Sequence, residues 1–177
     1  MSTYHHGDLP AALLRAAART LEKRGIAALS LRETARRAGV SHNAPYRHFP
    51  DREALLAALA AEGFAMLGER LRGKPGREMG AAYVRFALEQ PQRFRLMFGG
   101  QLPLAKYPQL STAAKAAYES LVGAFKDLPR SELAAAAAWS LVHGLSNLLL
   151  DGHFPSQDPE IFVRDVLAAV RFAAAQR

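Results

Sequence analysis

Two helix-start signals, Ser30 and Ser41, flank a single glycine, Gly39, and no other feature of this 177-residue chain restricts its fold as strongly. Ser30-Leu31-Arg32-Glu33 reads as a capping box, in which the Ser30 hydroxyl accepts from the Glu33 amide and Glu33 reaches back. Leu31, Thr34, Ala35 and Ala38 follow at the spacing of one helix face. Gly39 supplies the stop, and Ser41 caps the next segment two residues later. Two short helices joined by a glycine turn cross steeply, which is the form of a helix-turn-helix. In that arrangement the second helix enters a major groove with its N-terminal residues against base edges.

The remainder reads as helix throughout. Long alternation of β-branched residues and Asn-Gly or Asp-Gly hairpins are missing from the sequence. Nine helices are predicted. The first spans Asp8 to Arg24, with Asp8 as cap, Pro10 in the first turn, an apolar stripe of Leu9, Leu13, Ala16, Ala17, Thr20 and Leu21, and Gly25 as a left-handed stop. The third, His42 to Phe49, contains Pro45, which predicts a short helix with a loose first turn. A long fourth helix runs from the Phe49-Pro50-Asp51 break to about Arg72. Further helices are predicted near 76–90, 91–98, 106–127, 131–151 and 158–176, with breaks at Pro91, Gly99-Gly100, Pro129 and Asp151-Gly152. The expected fold is all-α: an N-terminal three-helix helix-turn-helix domain (1–50, extending to about 72), joined by the long fourth helix to a C-terminal bundle of about five helices (74–177).

Charge sharpens this division. Residues 1–50 carry eight Lys/Arg against three Asp/Glu, whereas 51–177 carry fifteen against thirteen. A basic front on a near-neutral body suits a polyanionic partner, because each phosphate neutralised releases counterions. The absence of cysteine excludes disulfides, thiolate metal sites and a cysteine nucleophile, and makes a reducing cytoplasm the expected location. Residues 1–8 are polar and do not resemble a secretory signal. The longest apolar stretch, Leu133 to Leu150, contains His143 and Asn147 and is read as a buried helix rather than a membrane span.

The string Ala-Gly-Val-Ser-x-x-x-x-Tyr-Arg-His-Phe-x-Asp-Arg-Glu-Ala-Leu-Leu, from Ala38 to Leu56, resembles the DNA-binding half of the tetracycline-repressor (TetR) family of bacterial regulators. Ala17, Leu21, Gly25, Leu31 and Ala35 extend the likeness forward. Pro45 departs from it, since most members carry a larger apolar residue there, usually Leu. The second half resembles one branch of the family through Trp139-Ser140-Leu141-Val142-His143-Gly144, Phe94-Arg95-Leu96-Met97-Phe98 and the opening Tyr4-His5-His6-Gly7-Asp8.

The resemblance implies a regulator that binds double-stranded DNA as a homodimer on a palindromic operator, as a repressor released by an unknown small-molecule effector. The alternative is a DNA-binding regulator or architectural protein with no effector. The resemblance makes Tyr46 and His48 phosphate contacts, and Arg52 a third, in place of the usual Lys. His42, Asn43 and Ala44 fall in the first turn of the third helix, where Asn43 can pair with adenine and Ala44 can touch a thymine methyl. Ser41 is a cap that can also meet a phosphate. Arg32, Arg36 and Arg47 are further backbone or base candidates.

On the eighth helix, Trp139, His143, Ser146 and Leu150 share one face, and Ala137, Leu141, Gly144, Leu145 and Leu148 the opposite one. A helix apolar on two faces is covered on both. Family likeness makes the eighth and ninth helices the dimer interface, through Leu141, Gly144, Leu145, Leu148, Phe162, Val166, Ala169 and Val170, within a ninth-helix stripe that also takes in Ile161 and Ala173. By the same analogy Phe86, Phe94, Met97, Phe98, Tyr118, Phe125, Trp139 and His143 are candidates for lining an effector pocket. No catalytic activity, cofactor, metal site or membrane partner is expected. Ser140, His143 and Asp151 are strung along one helix, and the adjacent His5 and His6 lack a third ligand.

Overall fold

The computed structural model describes residues 9–155 and 158–170. Tyr4, His5, His6, the Asp8 cap and Ala173 lie outside the described residues. Eight α-helices and three short 3-10 segments account for the ordered elements, and no strand occurs among the described residues.

α1 (Leu9–Arg24) buries Leu13, Ala16, Ala17, Thr20 and Leu21, the stripe expected from its sequence apart from Leu9, which is half-buried. Gly25 ends it with φ 74 and ψ 176, a conformation that suits glycine but is not the left-handed helical stop expected. A 3-10 turn, Ile26–Ala28, leads to α2 (Leu31–Ala38). α2 stops at Gly39, which is left-handed with φ 71 and ψ 29. There the Val40 amide donates to the Ala35 carbonyl at 3.1 Å, closing a Schellman-type end. The predicted third helix is a 3-10 turn, Ala44–Arg47. α3 (Arg52–Leu71) follows, with the Asp51 carboxylate accepting from the Ala54 amide at 2.7 Å. α4 (Gly76–Glu89), α5 (Pro91–Phe98), a 3-10 turn (Leu104–Lys106), α6 (Pro108–Gly123), α7 (Ser131–Leu150) and α8 (Pro159–Ala169) complete the chain. α6 is shorter at both ends than the predicted 106–127 span. α8 ends at Val170, whose backbone is extended.

Two units form, and they interleave in sequence. One contains the residues up to 63 with 92–111, and the other 64–91 with the residues from 112 on. Side-chain chemistry explains why 92–111 joins the front unit. The Glu22 carboxylate accepts from the Gln92 and Arg93 amides at 3.4 and 2.9 Å, capping the start of α5. Buried Arg93 donates to the Leu59 carbonyl at 3.3 Å and meets the Glu62 carboxylate at 3.4 Å. Gly63 lets α5 lie close over α3, because a Cβ there would stand 2.5 Å from Met97 Sδ. Further along, Lys106 and the Tyr107 hydroxyl both donate to Glu53 at 2.6 Å. These bonds hold the Glu53 carboxyl below its ordinary pKa, Lys106 contributing most.

In the second unit α4 packs against α7 and α8. The approach is closest at Gly80, where an added Cβ would meet Leu167 Cδ1 at 3.2 Å and Val142 Cγ1 at 3.3 Å. α7 turns Ala135, Ala138, Val142, Leu145 and Ser146 inward. By length and composition α7 is long and apolar enough to cross a membrane, with a mean hydropathy of 1.5. Its small residues serve here to seat it on α4. It is not buried all round, as Leu133 is 63% and Leu148 41% exposed.

Candidate nucleic-acid interface and ligand cavity

Pro45 determines the shape of the reading element. In an α-helix the amide of residue 45 would donate to the Ser41 carbonyl, but proline has no N–H. The Ala44 amide takes the Ser41 carbonyl instead, at 3.0 Å, and Tyr46 donates to the Asn43 carbonyl at 3.3 Å. Both are tight-turn bonds. Only at Phe49, donating to the Pro45 carbonyl at 2.9 Å, does an α-type bond appear. The Pro45 ring is buried, so it fills the inward apolar position of this turn. The Ser41 hydroxyl accepts from the Asn43 amide at 3.3 Å, but the 3-10 turn is capped at Asn43 with no side-chain bond, so Ser41 makes a local turn contact in place of the N-cap expected of it.

Around this turn Ser41, His42, Asn43, Tyr46, Arg47 and His48 are exposed, and Ala44 is half-buried. The structure therefore brings together every candidate on the third segment. It separates the arginines into two groups. Arg36 and Arg37 pair with Glu33 at 2.8 and 2.6 Å, and Arg24 approaches it at 3.7 Å. Hydrogen bonds from Arg36 and then Arg37 hold the Glu33 carboxyl down at about 2. The capping box is thus half made. Ser30 accepts the Glu33 amide at 3.1 Å, but the Glu33 carboxylate turns to the arginines rather than back to Ser30. Arg52 is also engaged, donating to the Leu29 and Ile26 carbonyls at 2.8 and 2.6 Å. In this position it ties the start of α3 to the α1–α2 connection. Arg32 and Arg47 are exposed and pair with no carboxylate among the described residues.

The second unit contains a cavity of about 500 Å³, walled by Leu71, Met79, Leu121, Phe125, Val142 and Leu167 among others. Of the aromatic and Met candidates, only Phe125 lines it. Phe86 is fully buried core, and Phe94 and Met97 are buried in α5, within the front unit. Tyr118, Trp139 and His143 form a cluster with Tyr83, a residue the sequence reading missed, and Tyr83 itself reaches the cavity. The Trp139 indole N–H donates to the Tyr83 hydroxyl at 3.1 Å, and that oxygen lies 2.9 Å from His143 Nδ1. An indole can only donate, so the Tyr83 oxygen is the acceptor in the Trp139 bond and joins the indole to the His143 ring. Ser140 spends its hydroxyl on the Ala136 carbonyl at 2.8 Å, away from His143.

Burial lowers the pKa of His143 below its ordinary 6.5. In this direction the unfolded chain takes up the proton first, so stability falls as pH drops below about 6.5 and levels off once the folded histidine titrates. Urea unfolding at about pH 7.5 and 5.5 tests this. Wild type is expected to lose more stability between the two than His143→Gln, and equal losses would remove His143 as a source of pH dependence.

The interface candidates divide. Leu148 and Ala169 are exposed, and Gly144, Phe162, Val166 and Val170 are half-buried, with Leu133 and Ile161 adding exposed apolar surface on α7 and α8. Leu145 is buried inside the protomer, and Leu141 and Val170 line the cavity. Gly144 has open space where a Cβ would be, and the close helix approach inside the protomer falls at Gly80.

Residues 13–59 match the family described as bacterial regulatory proteins, tetR family, and 77–170 match the tetracyclin repressor-like C-terminal domain. No curated protein matches the chain. Among solved structures, a protein of unknown function from Rhodococcus sp. RHA1 is 34% identical over 95% of this chain and 96% of its own, with a TM-score of 0.80. A bacterial regulatory protein of the tetR family from Rhodococcus RHA1 is 20% identical over 90% of this chain and 93% of its own, at 0.65. The multidrug binding protein EbrR, complexed with imidazole, is 22% identical over 90% and 92%, at 0.60.

Proposed function

The chain belongs to the tetR family of bacterial regulatory proteins, and on that premise we propose that it is a homodimeric repressor acting on a palindromic operator. Its seat is the bacterial cytoplasm, on DNA. The observation that carries this reading is the exposed set His42, Asn43, Tyr46, Arg47 and His48, gathered on one turn directly after the left-handed Gly39. Tyr46, Arg47 and His48 contact phosphates, and Arg32 adds a cation from α2. His42, Asn43 and Ala44 face base edges. Phosphate contacts set register while base contacts carry sequence. Arg52 supports the platform through its two carbonyl bonds.

Dimerisation through α7 and α8 covers Leu133, Leu148 and Ile161, apolar side chains left in water in the protomer. Two-fold symmetry then places two reading turns on half-sites about one helical turn apart or more. The 500 Å³ cavity holds a small-molecule effector, and the multidrug-binding EbrR shares the fold. Release follows if the effector binds the released conformation more tightly than the DNA-bound one.

Selection of duplexes from a random pool by the purified protein tests the reading. A palindrome is the expected product. Asn43→Ala is expected to relax preference at one position per half-site by about 1–3 kcal/mol while retaining salt-dependent binding. Salt-sensitive binding with no common motif would replace the repressor with a non-specific DNA-binding protein, and an unchanged motif for Asn43→Ala would remove Asn43 from base reading.

A further inference from the structure

The lining of the cavity is chemically one-sided. Leu, Met, Val, Phe, Ala and Gly make up its walls, and among the described residues Arg77 and Tyr83 alone contribute polar side chains. No carboxylate lines it among the described residues. The Tyr83 hydroxyl is committed to Trp139 and His143. That leaves Arg77 as the polar group available to a ligand. Arg77 is exposed, and its bond to the Ala168 carbonyl is long at 3.4 Å. Among the described residues no carboxylate pairs with it. Glu78, in the same turn, is not part of the lining.

Local backbone geometry points the same way. Gly76 and Arg77 open α4, and Pro75 before them offers no side-chain cap. The first amides of a helix are unsatisfied donors at the positive end of its dipole. They add partial positive charge beside the guanidinium, at the edge of an otherwise apolar chamber.

From the cavity, its lining and the cation at its edge, the geometry points to an effector with an apolar body and a single anionic group, a carboxylate of hydrophobic character. This inference rests on the effector reading above. The body occupies the chamber, which has room for roughly 15 heavy atoms at the ~30 Å³ a water takes in the liquid. The carboxylate stays at the edge, partly in water, against Arg77. A buried anion without a partner is expensive, so an exposed arginine is the right place for the head. A hydrophobic cation finds no counter-charge here, and a neutral analogue forgoes the charge-assisted bond.

Three isosteric probes test the class on the full-length protein: para-butylbenzoate, para-butylbenzyl alcohol and para-butylbenzylammonium. Binding is read by calorimetric titration, and release of an operator duplex by fluorescence anisotropy. The carboxylate is expected to bind about ten- to a hundredfold more tightly than the alcohol. Arg77→Gln should erase most of that preference, lowering the carboxylate's affinity far more than the alcohol's, and Arg77→Lys should restore part of it. Equal or tighter binding of the alcohol or ammonium overturns the anionic class while leaving the cavity as a small-molecule site. A carboxylate preference that survives Arg77→Gln overturns the role of Arg77, and no binding by any probe overturns the class as a whole. Arg77-dependent binding of the carboxylate without any change in DNA affinity upholds the class but defeats the effector reading.

Discussion

Replacing Arg32 and Arg47 together by alanine is expected to weaken DNA binding by roughly two to three orders of magnitude near 0.15 M salt, on every duplex tested. The two residues differ from Arg36, Arg37 and Arg52 in what surrounds them. Arg36 and Arg37 are held by Glu33, and Arg52 by two backbone carbonyls, so moving any of them to a phosphate first breaks an existing bond. Arg32 and Arg47 are exposed and have no such commitment to a carboxylate. In a two-fold complex each substitution acts twice, so the pair removes about four phosphate contacts. At ~0.9 counterion per contact, the slope of log affinity against log salt becomes shallower by about 3 to 4. Anisotropy titrations of one labelled duplex at several salt concentrations measure both quantities. An affinity loss confined to one sequence, with the slope unchanged, would make these arginines base readers instead. An unchanged affinity would place them off the DNA altogether.

The front unit was legible because its signals are local. A serine cap, a glycine with positive φ and a short apolar stripe each act over one or two turns, and Ser30, Gly39 and the α1 stripe behave as their sequence implies. Pro45 was legible in kind but not in degree. Its missing amide announces a loose turn, yet whether the chain recovers as an α-helix or stays in 3-10 geometry depends on burial of the ring, which sequence does not display. Glu33 shows the limit of a motif. A capping box specifies a reciprocal bond, but two arginines one turn on compete for the same carboxylate and win it with shorter, charge-assisted bonds. In the second half the information is non-local. α7 is so rich in alanine and leucine that several faces qualify as apolar, and only the meeting with Gly80 of α4 selects the face through Ala138 and Val142. The aromatic residues named as pocket candidates fared worst for the same reason. Size and hydrophobicity suit core and cavity equally, and Phe94 and Met97 are drawn to the front unit by Glu22, Arg93 and Gly63, at long sequence separations.

Phe86→Ala is expected to cost about 3–5 kcal/mol of stability, the largest loss from any single substitution considered. The ring is fully buried on the face of α4 that also carries Met79, Tyr83, Val84 and Ala87. The Arg70 guanidinium lies 5.5 Å from its centroid and is itself paired with Glu89, so the ring also supports a cation held in place. Alanine removes the transfer free energy of most of the side chain and leaves a void that fixed neighbours fill only in part. Against a typical stability of roughly 5–15 kcal/mol, the variant stands near the threshold of folding. A scan would show its melting temperature reduced by about 6–20 °C, at ~2–4 °C per kcal/mol for a chain of this size. The same experiment separates a core residue from a pocket residue. A residue facing an open cavity loses less on truncation, because one side of its ring has no packed partners to forfeit. A loss under about 1 kcal/mol, together with altered affinity for a bound carboxylate, would return Phe86 to the cavity wall and show that the ligand chamber extends beneath α4 rather than stopping at Tyr83.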